Sequence, residues 1–441
     1  MTKSYRRKPA TAKRVLSQAF DLVGATALGG LNALGKFVKR LGVDRELRER
    51  FREVKAPWAV WRLDCTLRSL LDACFAGLER LYHFEHLESD PLLCAQLGVE
   101  RLCDVKTLYR DLQRFDDPEL LGSLHGLLRG VVTQALRGRK AVVLEIDSTV
   151  ETLFGDQEGA QIGPNPHKPG RPSYHPLLAR DRLSDLVVNH MLRPGDTGSA
   201  TDIKSFLHTT LDIVEHDGTC RREILARLDS GFESNDVLSI LERRQVGYVV
   251  KMRATYDVAH HAACGGGWRN VDIEGDGQVQ VLSFSWQRPS AWSQPRRVVA
   301  VRKRDMDKMQ GRLFDDAGWF YSLFVTNLDW SPEDVARFYD KRADVERTIC
   351  ELKNDLAIGN VPSASFAANA ADLALKVLAR NLLVLYRDRG LALRSRARVA
   401  TIRRRYLLIP GRVVRHAGRL LLRLASNSPL QPLLSPNPRT C

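Results

Sequence analysis

The amino-acid sequence predicts an α/β protein, with a mixed sheet flanked by helices, a β-rich insertion, and mainly helical N- and C-terminal regions. Three observations predict this fold class. Residues 1–135 carry apolar residues at helical spacing. From residue 140, short strands rich in apolar and β-branched residues alternate with amphipathic helices. Residues 254–318 alternate polar and apolar residues between Gly and Pro turns, which is typical of antiparallel strands.

The N-terminal region is predicted to consist of short helices. The stretch LRSLLDACFAGLERLYHFEHL has its apolar residues at helical spacing. The stretch SDPLLCAQLGVERLCDVKTLYRDLQRF indicates two short helices broken near Gly98, the second beginning at Asp104 or Lys106. Short helices joined by a turn suit a DNA-binding arm, and they equally suit a helical cap on the rest of the fold.

The central region begins with the apolar strand KAVVLEID, which ends in an acid. A loop rich in Gly and Pro follows, and then two further strands, YHPLLARD and DLVVNHML. Next come a helix (IKSFLHTTLDIVEH), a strand (EILARLDSG), a helix (NDVLSILERRQ) and a strand (GYVVKMR). This order predicts one mixed sheet in which a parallel part lies beside an antiparallel part.

The second half of the chain is predicted to contain the β-rich insertion, the second part of the core and a basic tail. WFYSLFVTNLD predicts a strand, Ser331 and Pro332 begin a helix, and FYDKRADVERTICELKND predicts helix over 338–355. ADLALKVLARNLLVLYRDR predicts a buried helix. The tail has no acid from Arg394 to the end, and it is predicted to be basic, amphipathic and helical. The predicted boundaries are 1–135 for the helical DNA-binding region, 136–253 and 319–375 for the two parts of the core, 254–318 for the insertion, and 376–441 for the C-terminal region.

The charge balance predicts a polyanionic partner. The chain has 441 residues and carries 67 Lys and Arg against 52 Asp and Glu, a formal net charge of +15. Nucleic acid is the first candidate for such an excess, and an anionic membrane surface is the second. The sequence has no uncharged apolar run long enough to span a membrane. Its eight scattered cysteines form no C-x-x-C pair, so we expect free thiols in a reducing cytoplasm.

A polar stripe runs beside the apolar face of the helix predicted at 338–355. At about 100° per residue, Tyr339, Arg342, Glu346 and Lys353 fall within a stripe roughly 60° wide. Residues on such a stripe can reach a cleft while their stems pack on the core. A simpler interpretation is that Arg342 and Glu346 form an i,i+4 ion pair and that Tyr339 is half-buried.

Three acids are candidates for a metal site. Asp147 and Asp229 each end an apolar strand, and Glu346 lies on the polar stripe. If the two strands are neighbours, their acids lie a few Å apart, where Mg²⁺ would bind carboxylate oxygens and keep waters for a substrate. Two such ions about 4 Å apart hold the attacking and leaving oxygens of a phosphodiester. Glu145 points to the same face as Asp147 and is a rival ligand.

The spacing Tyr339–x2–Arg342–x3–Glu346–x6–Lys353 reproduces the Y-(2)-R-(3)-E-(6)-K signature of a large group of bacterial insertion-sequence transposases. LEIDSTVETLFGDQEGAQIGPNPHKPGRPSYHPLLA resembles the region around their first catalytic aspartate, and ARLDSGF resembles the segment of the second. The resemblance covers roughly residues 85–425. It implies a DDE transposase with an RNase H-like catalytic core and a β-rich insertion before the glutamate.

The resemblance also implies roles for single residues. Asp147, Asp229 and Glu346 would hold two Mg²⁺ ions, with Mn²⁺ able to substitute. Tyr339, Arg342 and Lys353 would contact DNA phosphates near the cleaved end. One tryptophan of the insertion would stack on a flipped base, and the candidates are Trp268, Trp286 and Trp292.

The implied activity is metal-dependent cut-and-paste transposition. The implied partners are double-stranded DNA, as terminal inverted repeats and target, and a second copy of the chain in a synaptic homodimer. The implied location is the bacterial cytoplasm, in association with the nucleoid, and a membrane is not among the implied partners. Two alternatives stay open: a DNA-binding protein that does not cut, and a structure-specific nuclease of the same fold.

Overall fold

The N-terminal region is helical in the computed structural model, which describes residues 19 and 21–434 apart from 167, 199–200, 216–220, 273–277, 289–290, 305–318 and 341–342. Asp90 and Asp104 cap two of its helices, and Gly98 ends the first of these with φ +71°, as the sequence predicts. The elements are β1 (Ala25–Thr26), α1 (Leu31–Arg40), α2 (Val43–Phe51), α3 (Leu63–Ala76), α4 (Pro91–Leu97), α5 (Val105–Gln113) and α6 (Pro118–Leu136).

The central region follows the predicted order of strands and helices. Two short strands and a third within the Gly- and Pro-rich loop form a small separate sheet, which the sequence did not predict. The elements are β2 (Ala141–Ser148), β3 (Glu151–Thr152), β4 (Gln161–Ile162), β5 (Pro172–Tyr174), β6 (Leu177–Asp181), β7 (Leu186–Met191), α7 (Ile203–Val214), β8 (Glu223–Leu228), α8 (Asn235–Arg243) and β9 (Gly247–Lys251).

The remaining elements complete the sheet and cover it. Ser331 caps one of the helices through a bond from the backbone N–H of Asp334, as the sequence predicts. The elements are α9 (Tyr256–Cys264), β10 (Arg269–Val271), β11 (Val279–Trp286), β12 (Arg296–Arg304), β13 (Trp319–Thr326), α10 (Pro332–Asp340), α11 (Ala343–Asn354), α12 (Phe366–Leu385), α13 (Val399–Ile402), β14 (Gly411–His416), β15 (Arg419–Leu424) and α14 (Gln431–Leu434).

The main sheet has nine strands in the order β10-β11-β12-β13-β9-β8-β2-β6-β7. Strands β2, β8 and β9 are parallel, and the other neighbouring pairs are antiparallel. The prediction of a mixed sheet is therefore confirmed. The strands of 254–318 continue this sheet through β13, which pairs with β9.

Helix α12 is the centre of the hydrophobic core. Nearly every residue of this helix is buried, and it contacts α3, α5, α6 and β7. Its Asn381 exchanges both backbone bonds with Val187 on the edge strand β7, at 2.9 and 2.7 Å, which satisfies polar groups that the edge would otherwise leave open. None of the helices among the described residues is long and apolar enough to cross a membrane.

The prediction of a helical tail is wrong for the segment 411–424, which forms the hairpin β14–β15. Leucine and arginine have high helix propensity, so the local sequence favours a helix in this segment. The hairpin forms because Ala417 and Gly418 take φ of +46° and +75°, the conformation of a tight two-residue turn. Its inner side chains then pack on the N-terminal helices and the turn before β14.

Two histidines, the half-buried His125 and the buried His190, face a cavity of about 370 Å³ between α6, β7, α7 and α12. His190 is 6% exposed, and neither of its ring nitrogens has a hydrogen-bond partner among the described residues. Its ring centroid lies 5.0 Å from that of His125. Burial lowers the pKa of His190 well below its ordinary value of 6.5, and the neighbouring His125 lowers it further. Burial and Arg129 likewise lower the pKa of His125.

We expect the free energy of unfolding to fall between pH 7 and pH 5. The unfolded chain binds protons at these histidines below about pH 6.5, and the folded chain binds them less readily because both pKa values are lowered, so acid favours unfolding. The loss is about 2 kcal/mol for each histidine that stays neutral. Urea unfolding across this pH range should show a weaker dependence for His190→Leu and an unchanged one for the exposed control His208→Gln. An equal pH dependence in His190→Leu and the native chain would contradict the expectation.

Candidate active site

Asp147 and Asp229 lie side by side at the carboxyl ends of two parallel strands. The register pairs Ile146 of β2 with Leu228 of β8, so the next residues are the two aspartates. Neighbouring strands are about 4.8 Å apart, and paired residues point to the same face. Both aspartates are half-buried. Each Oδ1 accepts the backbone N–H of the following serine, at 2.9 Å for Asp147 and 2.7 Å for Asp229, which fixes the orientation of the carboxylates.

Glu145 is not a rival ligand in this structure. Its side chain is fully buried between two arginines that the register places opposite it on both neighbouring strands. Arg180 of β6 donates to one carboxylate oxygen at 2.8 Å, and Arg227 of β8 donates to the other. The rival-ligand hypothesis is wrong because Glu145 already has two buried cationic partners.

The buried ion pairs continue from the sheet to the helices. Arg180 also binds Asp185 at 2.7 Å, and Arg380 of α12 binds both Asp185 and Glu351 of α11, at 3.1 and 2.9 Å. Burial alone would raise the pKa of Asp185, but Arg380 and Arg180 together hold it far below its usual range. We name this chain of contacts the ion ladder; its residues are Arg227, Glu145, Arg180, Asp185, Arg380 and Glu351.

The ion ladder shows which face of the sheet the helices α10 and α11 cover. Arg227 points to the same face as Asp229, donates to the carbonyl oxygen of Phe338 in α10, and lies 5.0 Å from the centroid of its ring. At the other end, Arg380 holds Glu351 of α11. Residues near the C-terminal end of each helix, Phe338 in α10 and Glu351 in α11, are therefore tied to the face that carries the two aspartates.

The stretch predicted as one helix is described as α10 up to Asp340 and as α11 from Ala343. Residues 341–342 between them, which include Arg342, lie outside the described residues. Tyr339 is half-buried, and its ring centroid lies 4.4 Å from that of Phe324 in a small second hydrophobic cluster. This packing agrees with the simpler interpretation of Tyr339 as a half-buried side chain.

Glu346 is exposed on α11, on the same face as Lys353, since two helical turns separate them. Lys353 donates to the carbonyl of Val150 at 2.8 Å and pairs with Glu151 at 3.2 Å, just beyond the end of β2. The face that bears Glu346 is therefore turned towards the strand end that bears Asp147. Among the described residues, no three His, Cys, Asp or Glu side chains lie close enough together to hold a metal ion. The structure thus brings the two aspartates together without showing the third ligand beside them.

The donor set fits a hard divalent cation. Adjacent aspartates repel each other when both are ionised, and a cation bound by carboxylate oxygens relieves that repulsion. Glu145 does not belong to this donor set, because its carboxylate pairs with the buried arginines of the ion ladder. A metal would therefore be held at the strand ends by Asp147 and Asp229, and Glu346, exposed on α11, is the acid that the sequence predicts for the third position.

The three candidate tryptophans have different surroundings. Trp292 is 4% exposed, and its indole N–H donates to Glu233 at 3.0 Å, so it is a core residue and not available to stack on a base. Trp268 is half-buried under Arg302, whose guanidinium carbon lies 4.1 Å from the ring centroid. Trp286 is also half-buried and packs against His261. Trp268 and Trp286 remain candidates.

The ion ladder is the part of the site that the sequence reasoning missed. A signal for it exists, because Arg180 and Arg227 each lie inside an apolar strand (LLARD and EILARLD), two residues or fewer before an acid. An arginine inside an apolar strand must find a buried acid, since an unpaired charge is costly to bury.

Comparison with known proteins identifies the family of this chain. The family model described as "Transposase DDE domain group 1" matches residues 8–438. Among solved structures, the chain is similar to a piggyBac transposase in a synaptic complex with hairpin DNA, at 12% sequence identity and a TM-score of 0.44 over 85% of this chain and 78% of that one. The search of curated proteins gives no match. With its model matching nearly the whole length, the chain belongs to the family of transposases that carry a group 1 DDE domain.

Proposed function

We propose that this transposase cleaves the ends of a mobile DNA element and joins them to target DNA, with Asp147, Asp229 and Glu346 as its metal ligands. The observation that carries the proposal is the placement of Asp147 beside Asp229 at the ends of β2 and β8. Ligands bind at the carboxyl ends of strands in open α/β sheets, so this edge is the expected place for the reaction. The helix that bears Glu346 is tied to the same face through the ion ladder.

The catalytic core is proposed to be RNase H-like. In support, the strands β7-β6-β2-β8-β9 form a block in which β6 is antiparallel to both of its neighbours, β7 and β2, while β8 and β9 are parallel to β2. The first aspartate is the penultimate residue of the central strand β2 of this block, and the second directly follows its parallel neighbour β8. The strands β10 to β12 would be the β-rich insertion between β9 and the glutamate-bearing helix.

Mg²⁺, or Mn²⁺ in its place, is the proposed cofactor. Two such ions would neutralise charge on the attacking and leaving oxygens of the phosphodiester. The chain's own contribution is orientation: the serine N–H groups hold the two aspartates, and Arg380 holds α11 through Glu351. A ligand held by such supporting bonds does not have to reorganise during the reaction.

DNA is the proposed substrate, and the excess of 15 positive charges supports it. Arg342 and Lys353 are proposed to contact phosphates, and Tyr339 to line the same path. In this structure Lys353 bonds to Val150 and Glu151, so binding DNA would require it to exchange these partners. Trp268 or Trp286 is proposed to stack on a base, and a homodimer is proposed to pair the two DNA ends.

The test is an assay of cleavage and strand transfer on DNA that carries the element's terminal repeats. We expect metal-dependent cleavage followed by joined products, and we expect Glu346→Gln to lower both by about 10³-fold or more, because one ligand of the metal is lost. The matched control is Asp340→Asn, which removes an exposed acid at the end of α10 and should keep activity.

Other outcomes of this assay would contradict the proposal in different ways. Cleavage without any joined product would favour a structure-specific nuclease. Tight binding of the ends without cleavage by the native chain would favour a DNA-binding protein that does not cut. Full activity of Glu346→Gln would remove Glu346 from the set of ligands.

A further inference from the structure

The hairpin β14–β15 carries a cationic outer face. The register places Arg412 opposite Arg423, Val414 opposite Leu421, and His416 opposite Arg419 on one side of the ribbon. Arg412, Arg419 and Arg423 are exposed. The other side holds Val413, Leu422 and Leu424, which pack against the hydrophobic core. The ribbon is thus anchored by one face and presents the other to its surroundings.

The positive charges on this face of the hairpin repel one another. Arg412 and Arg423 are direct cross-strand neighbours, and like charges in that position destabilise a hairpin. No acid occurs from Arg394 to the end of the chain, so no neighbour in sequence relieves the repulsion. Arg404 and Arg405 are also exposed and precede β14 in the sequence, so they add two positive charges to this part of the chain. An arrangement of this kind is stabilised when a polyanion binds across it.

We propose that the outer face of this hairpin binds the phosphate backbone of duplex DNA, with the ribbon lying in a groove. This inference rests on the proposed function, since it supplies a DNA-binding surface away from the strand ends that bear the two aspartates. The major groove of B-DNA admits a two-stranded β-ribbon, and arginines on such a ribbon reach the phosphates on either side. The ribbon is short, with six residues in each strand and a tight two-residue turn.

An anionic membrane is the competing partner for a basic surface with exposed leucines. Leu420 and Leu421 near the turn are 55% and 46% exposed. Membrane-surface binding requires a broad apolar face opposite the charges, and here Val413, Leu422 and Leu424 of the apolar face pack on the protein, which leaves Leu420 as the exposed apolar side chain of that face. The observations therefore favour DNA, and the membrane becomes an outcome of the test.

The test measures binding of the full chain to a short duplex at several salt concentrations, without added divalent cation. Removing phosphate contacts lowers the slope of log K against log salt by about 0.9 for each contact. We expect Arg419→Ala with Arg423→Ala to lower the slope by roughly 1.8, and Arg419→Lys with Arg423→Lys to keep most of it. The matched control is Arg45→Ala with Arg50→Ala, two exposed arginines of α2 that pair with Glu46 and Glu49.

The inference is overturned if the alanine pair keeps the native slope, or if it lowers the slope only as much as the control pair does. It is also overturned if the alanine pair weakens binding to vesicles of anionic phospholipid while DNA binding stays unchanged. Thermal unfolding of each variant shows whether the fold is kept, and the lysine pair repeats the test with the charge retained. Because no cleavage is measured, failure here leaves the metal ligands untouched, and full activity of Glu346→Gln leaves the hairpin result standing.

Discussion

Replacing Asp147 or Asp229 with asparagine is expected to abolish metal-dependent DNA cleavage, with a loss of at least about 10³-fold. That loss corresponds to roughly 4 kcal/mol of transition-state stabilisation. The physical reason is that the two carboxylates share the strand ends, so a cation held there depends on both charges. An asparagine keeps the shape and loses the charge. The measurement is the rate of single-strand nicking at a terminal repeat with Mg²⁺ and with Mn²⁺.

Binding and folding serve as the controls for this prediction. Each variant should bind the same DNA as well as the native chain, because neither aspartate is proposed to contact phosphates directly. Each should also keep the native fold, because both side chains are only half-buried at the ends of their strands, and thermal unfolding measures this. A variant that nicks DNA at the native rate would show that its aspartate is not a metal ligand.

Glu145→Gln is expected to cost about 3–5 kcal/mol of the free energy of unfolding. The substitution removes the buried carboxylate with which Arg227 and Arg180 both pair, and breaking a buried ion pair by removing one partner is strongly destabilising. Urea unfolding at pH 7 measures the change. The effect should exceed that of Asp147→Asn, although the two side chains are neighbours on one face of β2.

A double variant separates a structural role from a catalytic one. Glu145→Met with Arg227→Met removes both charges, and apolar replacement of a buried pair is often close to neutral. We expect it to recover part of the stability that Glu145→Gln loses. If Glu145→Gln instead kept native stability and abolished metal-dependent nicking, Glu145 would be a ligand after all.

Much of the core could be predicted from sequence because its signals are local. The strands β2, β6, β7, β8 and β9 are apolar and β-branched, and the helices α7 and α8 are amphipathic, so short windows identify them. The placement of Asp147 and Asp229 at strand ends follows from the same windows. Their adjacency depends on the pairing of β2 with β8, which the sequence analysis could state only as a condition and which the parallel register of the two strands shows.

The hairpin and the tryptophans could not be predicted in this way. The segment 411–424 has leucines and arginines that favour a helix, and only its packing on the core selects the strands. Trp286 and Trp292 lie close together in the sequence, and no local pattern distinguishes the two tryptophans. Trp292 is buried because Glu233 accepts its N–H, and Arg288 and Arg296 lie over its ring, contacts that no local pattern encodes.

The sequence by itself determined the order of strands and helices, the positions of the aspartates at the strand ends and the positive charge, since each depends on residues a few places apart. Only the tertiary structure decided that Glu145 is a buried partner of Arg180 and Arg227, and that α11 is tied to the sheet. The contacts responsible join residues far apart in the chain, such as Arg380 and Asp185. Ionic bonds of this kind form wherever the folded chain brings opposite charges together in the core, so their partners are set by the packing of whole elements.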